Sequence, residues 1–175
     1  LRAADTAMYA AKDAGRNTFE FYTDSFYDKV RRRVTLERQL RGALARSELS
    51  LVYQPTVALA DGTVTGVEAL LRWRTAEGEM RSPGEFIPVA EDCGLINLLG
   101  EWALRTACRQ ARQWPDPLKV AVNLSPAQFA SPTLIQVVSR ALSDAGLPPH
   151  RLALEITEGL LMRNTEKTLE TLHQL

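Results

Sequence analysis

The chain has 175 residues, room for one domain and part of a second. Hydrophobic residues make up 45% of it and charged residues 24%, which excludes a mainly disordered chain. Lysine plus arginine and aspartate plus glutamate number 21 each, so there is no global basic field to hold a nucleic acid backbone or an anionic membrane. An anionic ligand has to be held locally. Cys93 and Cys108 both fall in helical stretches and neither has a second Cys or His at zinc spacing, so a reduced, cytoplasmic chain is expected. No apolar run approaches the roughly 20 residues that span a bilayer. The start, Leu1-Arg2-Ala3, carries neither an initiator Met nor a signal-peptide pattern, and reads as a segment of something longer.

Ala4, Ala7, Met8 and Ala11 recur at helical spacing, Gly15 stands where a left-handed cap is usual, and the aromatic stretch 19–22 is strand-prone. One helix feeding one strand cannot bury enough surface to be a domain, so residues 1–28 are expected to close a domain whose body lies upstream. The spacing of Leu36, Leu40, Ala43 and Leu44 predicts a helix over 30–46, leading through a linker at 29–47 into the next domain. Its other face carries Arg31, Arg32, Arg33, Arg38, Arg41 and Arg46, either an anion or partner site or the solvated face of a connector.

From there strands and helices alternate. Strands are predicted over 51–59 and 63–73 around an Asp61-Gly62 turn, and a short helix after a Ser82-x-x-Glu85 capping box with Pro83 at its first position. A longer helix over 95–114 stops at Pro115 and Pro117, and an apolar strand follows at 118–124. Ser125-Pro126 and Ser131-Pro132 read as helix starts, with a helix over 132–145 ending at Gly146. A strand at 152–156 and a last helix capped by Asn164 complete the pattern, which argues for a parallel α/β sheet or barrel.

In parallel α/β folds ligands collect at the C-terminal edge of the sheet. Three polar residues interrupt the apolar strands there: Glu68, Asn123 and Glu155. Two carboxylates and an amide oxygen are hard donors suited to Mg²⁺ or Mn²⁺, whereas each taken singly reads equally as a buried polar group satisfied by a helix N-terminus or by Arg72. Arg72 stands four residues beyond Glu68 in an extended strand, on the same side, to hold a phosphate or to pair with Glu68 or Glu91. Gln54 reads either as a contact to a base edge or as a bridge between backbone groups. His150 and His173 read as exposed bystanders, and no glycine-rich phosphate loop or Ser/His/Asp set is evident.

Tyr53-Gln54-Pro55, Glu68-Ala69-Leu70-Leu71-Arg72-Trp73, Pro83-Gly84-Glu85-Phe86-Ile87-Pro88, Val122-Asn123-Leu124-Ser125 and Glu155-Ile156-Thr157-Glu158 resemble, in order, the successive signatures of the EAL family of bacterial cyclic di-GMP phosphodiesterases. Ala4-Asp5-Thr6-Ala7-Met8-Tyr9 with Lys12 and Gly15-Arg16-Asn17 is similar to the closing helix and strand of GGDEF diguanylate cyclase domains, which commonly precede EAL domains. The resemblance implies a (β/α)₈ barrel of the TIM type, incomplete here and occupying residues 48–175, preceded by the remnant of an α+β GGDEF domain. It implies metal-dependent hydrolysis of cyclic di-GMP to linear pGpG, with Mg²⁺ or Mn²⁺ as cofactor. On that pattern Glu68, Asn123 and Glu155 match metal ligands, and Gln54, Leu71 and Arg72 match substrate contacts. Glu158 matches a loop-steadying glutamate, while Lys12 and Arg16 match residues near the nucleotide phosphates of cyclases.

The same resemblance implies a cytoplasmic protein that binds no DNA or RNA, makes no membrane contact in this segment and pairs with a second copy through the EAL domain. The family's Asp-Asp-Phe-Gly segment, catalytic Lys and later Glu lie beyond residue 175, so this piece alone is expected to be inactive and, with open strand edges, prone to associate. A non-catalytic module that binds cyclic di-GMP or a partner is the alternative, because every motif quoted survives in such a protein.

Overall fold

The computed structural model describes residues 24–156 and 166–175. The helix and strand expected before residue 23, with Lys12 and Arg16, lie outside the described residues, as do Glu158 and Asn164. Helix α1 (Asp24–Arg41) leads into a hairpin of β1 (Leu49–Val57) and β2 (Val64–Arg74). The short β3 (Met80–Arg81), α2 (Pro83–Asp92) and α3 (Ile96–Ala111) follow. Next come β4 (Lys119–Leu124), the single turn α4 (Pro126–Phe129), α5 (Leu134–Ala145), β5 (Leu152–Ile156) and α6 (Glu166–Gln174).

These strands form one mixed sheet in the order β1-β2-β4-β5, with β3 also on β2. β1 runs antiparallel to β2, whereas β2, β4 and β5 are mutually parallel, with β4 and β5 each reached through a helical crossover. The hairpin expected at Asp61-Gly62 is present and returns the chain antiparallel, as a hairpin must, and the parallel part of the sheet begins at β2. Gly62 supplies the positive φ of 73° at that turn.

Alternation sorts the side chains. One face of the sheet presents Val67, Ala69, Leu71 and Trp73 of β2 with Val120, Val122 and Leu124 of β4, and the helices cover it. Beneath β4 and β5, Leu104, Ala107, Cys108 and Ala111 of α3 meet Val138 and Ala141 of α5. Burial pushes the Cys108 thiol up to about 11, which makes it inert packing. A second cluster joins Leu40 of α1, Trp73, Phe86 of α2 and Leu99 of α3, with the Trp73 and Phe86 rings edge to face at 5.5 Å.

Several local expectations shift. The connector helix ends at Arg41 and the chain turns over 42–47, because Gly42 interrupts it. Ser82 makes no side-chain cap; its carbonyl already accepts the Glu85 and Phe86 amides at 2.9 and 3.3 Å. A full capping box forms instead at Ser125, where the hydroxyl accepts the Gln128 amide and the Gln128 side chain accepts the Ser125 amide, both at 3.2 Å. Helix α5 starts two residues later than Ser131-Pro132 suggested, and ends as expected on Gly146 at φ 62°.

Two buried ionic groups tie elements together. Arg151, 3% exposed, donates to the carbonyls of Leu118, Ala111, Trp114 and Pro115, fastening the entry of β5 to the end of α3. Glu48, 9% exposed, accepts Arg46 Nε at 2.5 Å and Trp73 Nε1 at 3.0 Å. The Arg46 hydrogen bond holds the Glu48 carboxyl below the usual carboxylate range; burial opposes this and the Trp73 indole adds to it. A depressed folded-state pKa contributes stability above the unfolded value, about 4.3, and that stability is lost as pH falls through the folded value. Melting temperature should therefore drop more steeply below about pH 4.3 in the wild type than in Glu48→Gln. Parallel curves for the two in a thermal melt series would count against this.

Candidate functional site

The other face of the sheet carries the polar residues singled out in the sequence. Glu68 is paired in register with Gln54 on one side and Ala121 on the other, and Asn123 with Glu155. Residues paired in register share a face, and so do residues two apart on a strand. Gln54, Glu68, Asn123 and Glu155 therefore all stand on one face, opposite the helix-covered core. Asn123 Nδ2 donates to Glu68 Oε1 at 2.6 Å, so side chains 55 residues apart in the chain meet across β2 and β4.

Position along the strands matters as much as face. Asn123 and Glu155 are each next to last in their strands, at the C-terminal edge. Glu68 lies within β2 rather than at its end, because β2 runs on to Arg74 while β4 pairs only with its Gly66–Ala69 portion. The overhang places Arg72, opposite Ser50 on β1, above the edge where β4 stops. Arg72 forms no ion pair with Glu68 or Glu91; its Nη1 donates to the Leu71 carbonyl at 2.9 Å. Glu68 and Arg72 are half-buried, and Gln54, Asn123 and Glu155 are exposed.

Leu71 is not brought to this group. It is the odd neighbour in the alternation and packs into the Trp73 and Phe86 cluster on the opposite face. Leu70, two residues from Glu68 and opposite Val52, takes the place on the polar face. The signal was in the sequence, since the two-residue period assigns Leu70 to Glu68's side. Gln128 was also missed: 5% exposed, it lies over Gly100 of α3, where an added Cβ would come within 1.7 Å of its amide nitrogen. It fixes the turn that leaves β4 directly after Asn123.

As a donor set, two carboxylates and an amide on one open face are hard oxygen ligands that fit Mg²⁺ or Mn²⁺ and not a thiophilic metal. Among the described residues no cluster of three His, Cys, Asp or Glu side chains competes with them. A cavity of about 1220 Å³ lies elsewhere, between α1, α2 and β3. Of the arginines lining it, Arg33 pairs with Asp92 and Arg81 with Glu79 at 2.9 Å, and Asp28 and Glu85 line the same cavity. His150 and His173 are exposed, as expected. No described helix is long and apolar enough to cross a membrane.

Residues 37–175 match the EAL domain family, and the chain belongs to it. It is 45% identical over 176 residues to a bifunctional diguanylate cyclase/cyclic di-GMP phosphodiesterase, MucR of Pseudomonas aeruginosa, covering 98% of this chain and 26% of that protein. An uncharacterized signaling protein of Caulobacter vibrioides is 46% identical over 172 residues, covering 98% of this chain and 21% of that one. The chain thus spans about a fifth to a quarter of the length of these relatives. The structure superposes on that of the MucR phosphodiesterase in complex with c-di-GMP with a TM-score of 0.77, at 45% identity, over 80% of this chain and 58% of that one. A Xanthomonas citri FimX EAL domain in complex with c-diGMP gives a TM-score of 0.69 at 28% identity, over 83% of this chain and 58% of that one.

Assignment of the two leucines to opposite faces is directly testable. Leu71→Ala should cost about 2–3 kcal/mol of stability by denaturant titration, and Leu70→Ala about 1 kcal/mol or less. Equal losses would contradict the assignment.

Proposed function

We propose that this chain supplies the metal- and phosphate-holding face of a cyclic di-GMP phosphodiesterase, and that the sheet is the opening part of a (β/α)₈-type barrel. The observation that carries the reading is the Glu68–Asn123 contact across β2 and β4, with Glu155 opposite Asn123 and Arg72 above on the same face. Glu68, Asn123 and Glu155 would hold Mg²⁺ or Mn²⁺. A divalent ion bound there polarises a phosphoryl oxygen and acidifies water. Arg72, without a carboxylate partner among the described residues, is available to neutralise a phosphate as charge develops on it. Gln54, opposite Glu68, is placed to hydrogen-bond the edge of a guanine, and Leu70 beside it offers apolar surface. Leu71 enters only through its backbone.

The product would be the linear dinucleotide pGpG, from water opening one of the two phosphodiester bonds. Relatives named as cyclic di-GMP phosphodiesterases support the reading, as do solved neighbours holding the dinucleotide. Glu158 is assigned the loop-steadying role on motif alone. Residues 1–28, with Lys12 and Arg16, are read as the close of a GGDEF domain; the match to a bifunctional cyclase and phosphodiesterase over nearly the whole chain supports this. Pairing of two copies through the EAL domain belongs to the same proposal.

With Mg²⁺ or Mn²⁺ the full-length protein should convert cyclic di-GMP to pGpG. Chelation by EDTA should abolish turnover, and Glu68→Ala or Asn123→Ala should each lower it at least about a hundredfold, as loss of a metal ligand requires. Nucleotide separation on an ion-exchange column reads the product. Tight binding with no turnover would favour the receptor alternative, and full activity in Glu68→Ala would overturn the site assignment.

A further inference from the structure

Among the described residues no side chain orients Arg72: its guanidinium donates to the carbonyl of the preceding residue. Its direction therefore follows from how the end of β2 is held. That end is clamped by the residue after it. The Trp73 side chain is fully buried, with its ring edge to face on Phe86 and its indole Nε1 donating to Glu48 at 3.0 Å. The Glu48 carbonyl accepts the Arg74 amide at 2.9 Å, so one residue grips the Trp73 side chain and the backbone just after it.

Glu48 is in turn fixed from the helix side. Arg46 reaches its carboxylate through Nε at 2.5 Å and Nη2 at 3.0 Å, and the same Nη2 donates to the Gln39 carbonyl of α1 at 2.7 Å. Gly42 makes this possible, because a Cβ there would stand 2.0 Å from Arg46 Nη1. Between Arg46 and Glu48 sits Ser47 at φ 57°, a left-handed conformation that a non-glycine residue adopts only where its surroundings enforce it.

We propose that Glu48 is a positioning residue for Arg72, a clasp that joins the end of α1 to the strand end bearing the phosphate contact. This rests on the reading of Arg72 above. Rotation of the β2 terminus about its axis would swing Arg72 off the face it shares with Glu68, and the Arg46–Glu48–Trp73 clasp opposes that rotation. Through Arg46 and Gln39 the position of α1 is felt at Arg72.

The test is the dissociation constant for cyclic di-GMP in the full-length protein, measured by calorimetry in EDTA, where Arg72 acts without metal. Glu48→Gln keeps an acceptor for Trp73 but removes the charge that holds Arg46, and Gly42→Ala displaces Arg46 while leaving Glu48 and Trp73 in place. Each should weaken binding by about three- to tenfold, and Glu48→Gln should weaken it no further once Arg72→Ala is present, as expected for coupled residues. Arg72→Lys should recover part of the affinity lost in Arg72→Ala. Unchanged affinity in both Glu48→Gln and Gly42→Ala, or a loss that multiplies in the double variant, overturns the clasp while sparing the reading of Arg72. Unchanged affinity in Arg72→Ala overturns both.

Discussion

The two-residue alternation along β2 gives the molecule its two sides. Val67, Ala69, Leu71 and Trp73 are drawn into the helices, and that burial turns Glu68, Leu70 and Arg72 to the opposite face. Parallel pairing carries the division onto β4 and β5. Gly66 is part of the reason that pairing is close, since a Cβ at this position would meet the Lys119 carbonyl at 2.9 Å. Hydrophobic burial on one side thus dictates which polar groups converge on the other.

Supporting contacts lie at the ends of these strands. Gln128 locks the turn after Asn123 against bare backbone at Gly100, and Arg151 gathers four carbonyls where the chain enters β5. Glu48 holds the last residues of β2. In each case a polar side chain is buried only because its hydrogen-bonding capacity is met, which makes its geometry specific as well as stable.

Local patterns made much of this visible in the sequence. The strand at 152–156, the helix ending at Gly146 and the Asp61-Gly62 hairpin are written in short-range residue choices, and the structure places them there. Glu68, Asn123 and Glu155 were legible because polar residues interrupt apolar strands. The Leu71 side chain falls on the core face because alternation along the strand, which a contiguous motif does not display, puts Leu70 on the side of Glu68. The Ser82 cap failed since a backbone carbonyl had already taken the amides it would serve. Arg151 and the Glu48–Trp73 bond carry no periodic signature, since the partners lie 33 to 40 and 25 residues away; Gln128 shows its Ser125-x-x-Gln128 box locally, but its seat on Gly100, 28 residues away, only in the packing.

The contact between Glu68 and Asn123 closes a loop of 55 residues, whereas the β1–β2 hairpin closes one of a few. Closure entropy and contact order place the hairpin early in folding and the β2–β4 pairing late. Local pairing alone sets Gln54 opposite Glu68, whereas Asn123 joins them only once β2 and β4 have met. Convergence of Glu68, Asn123 and Glu155 is thus a report on completed assembly, absent from any polypeptide stalled or clipped between β2 and β4.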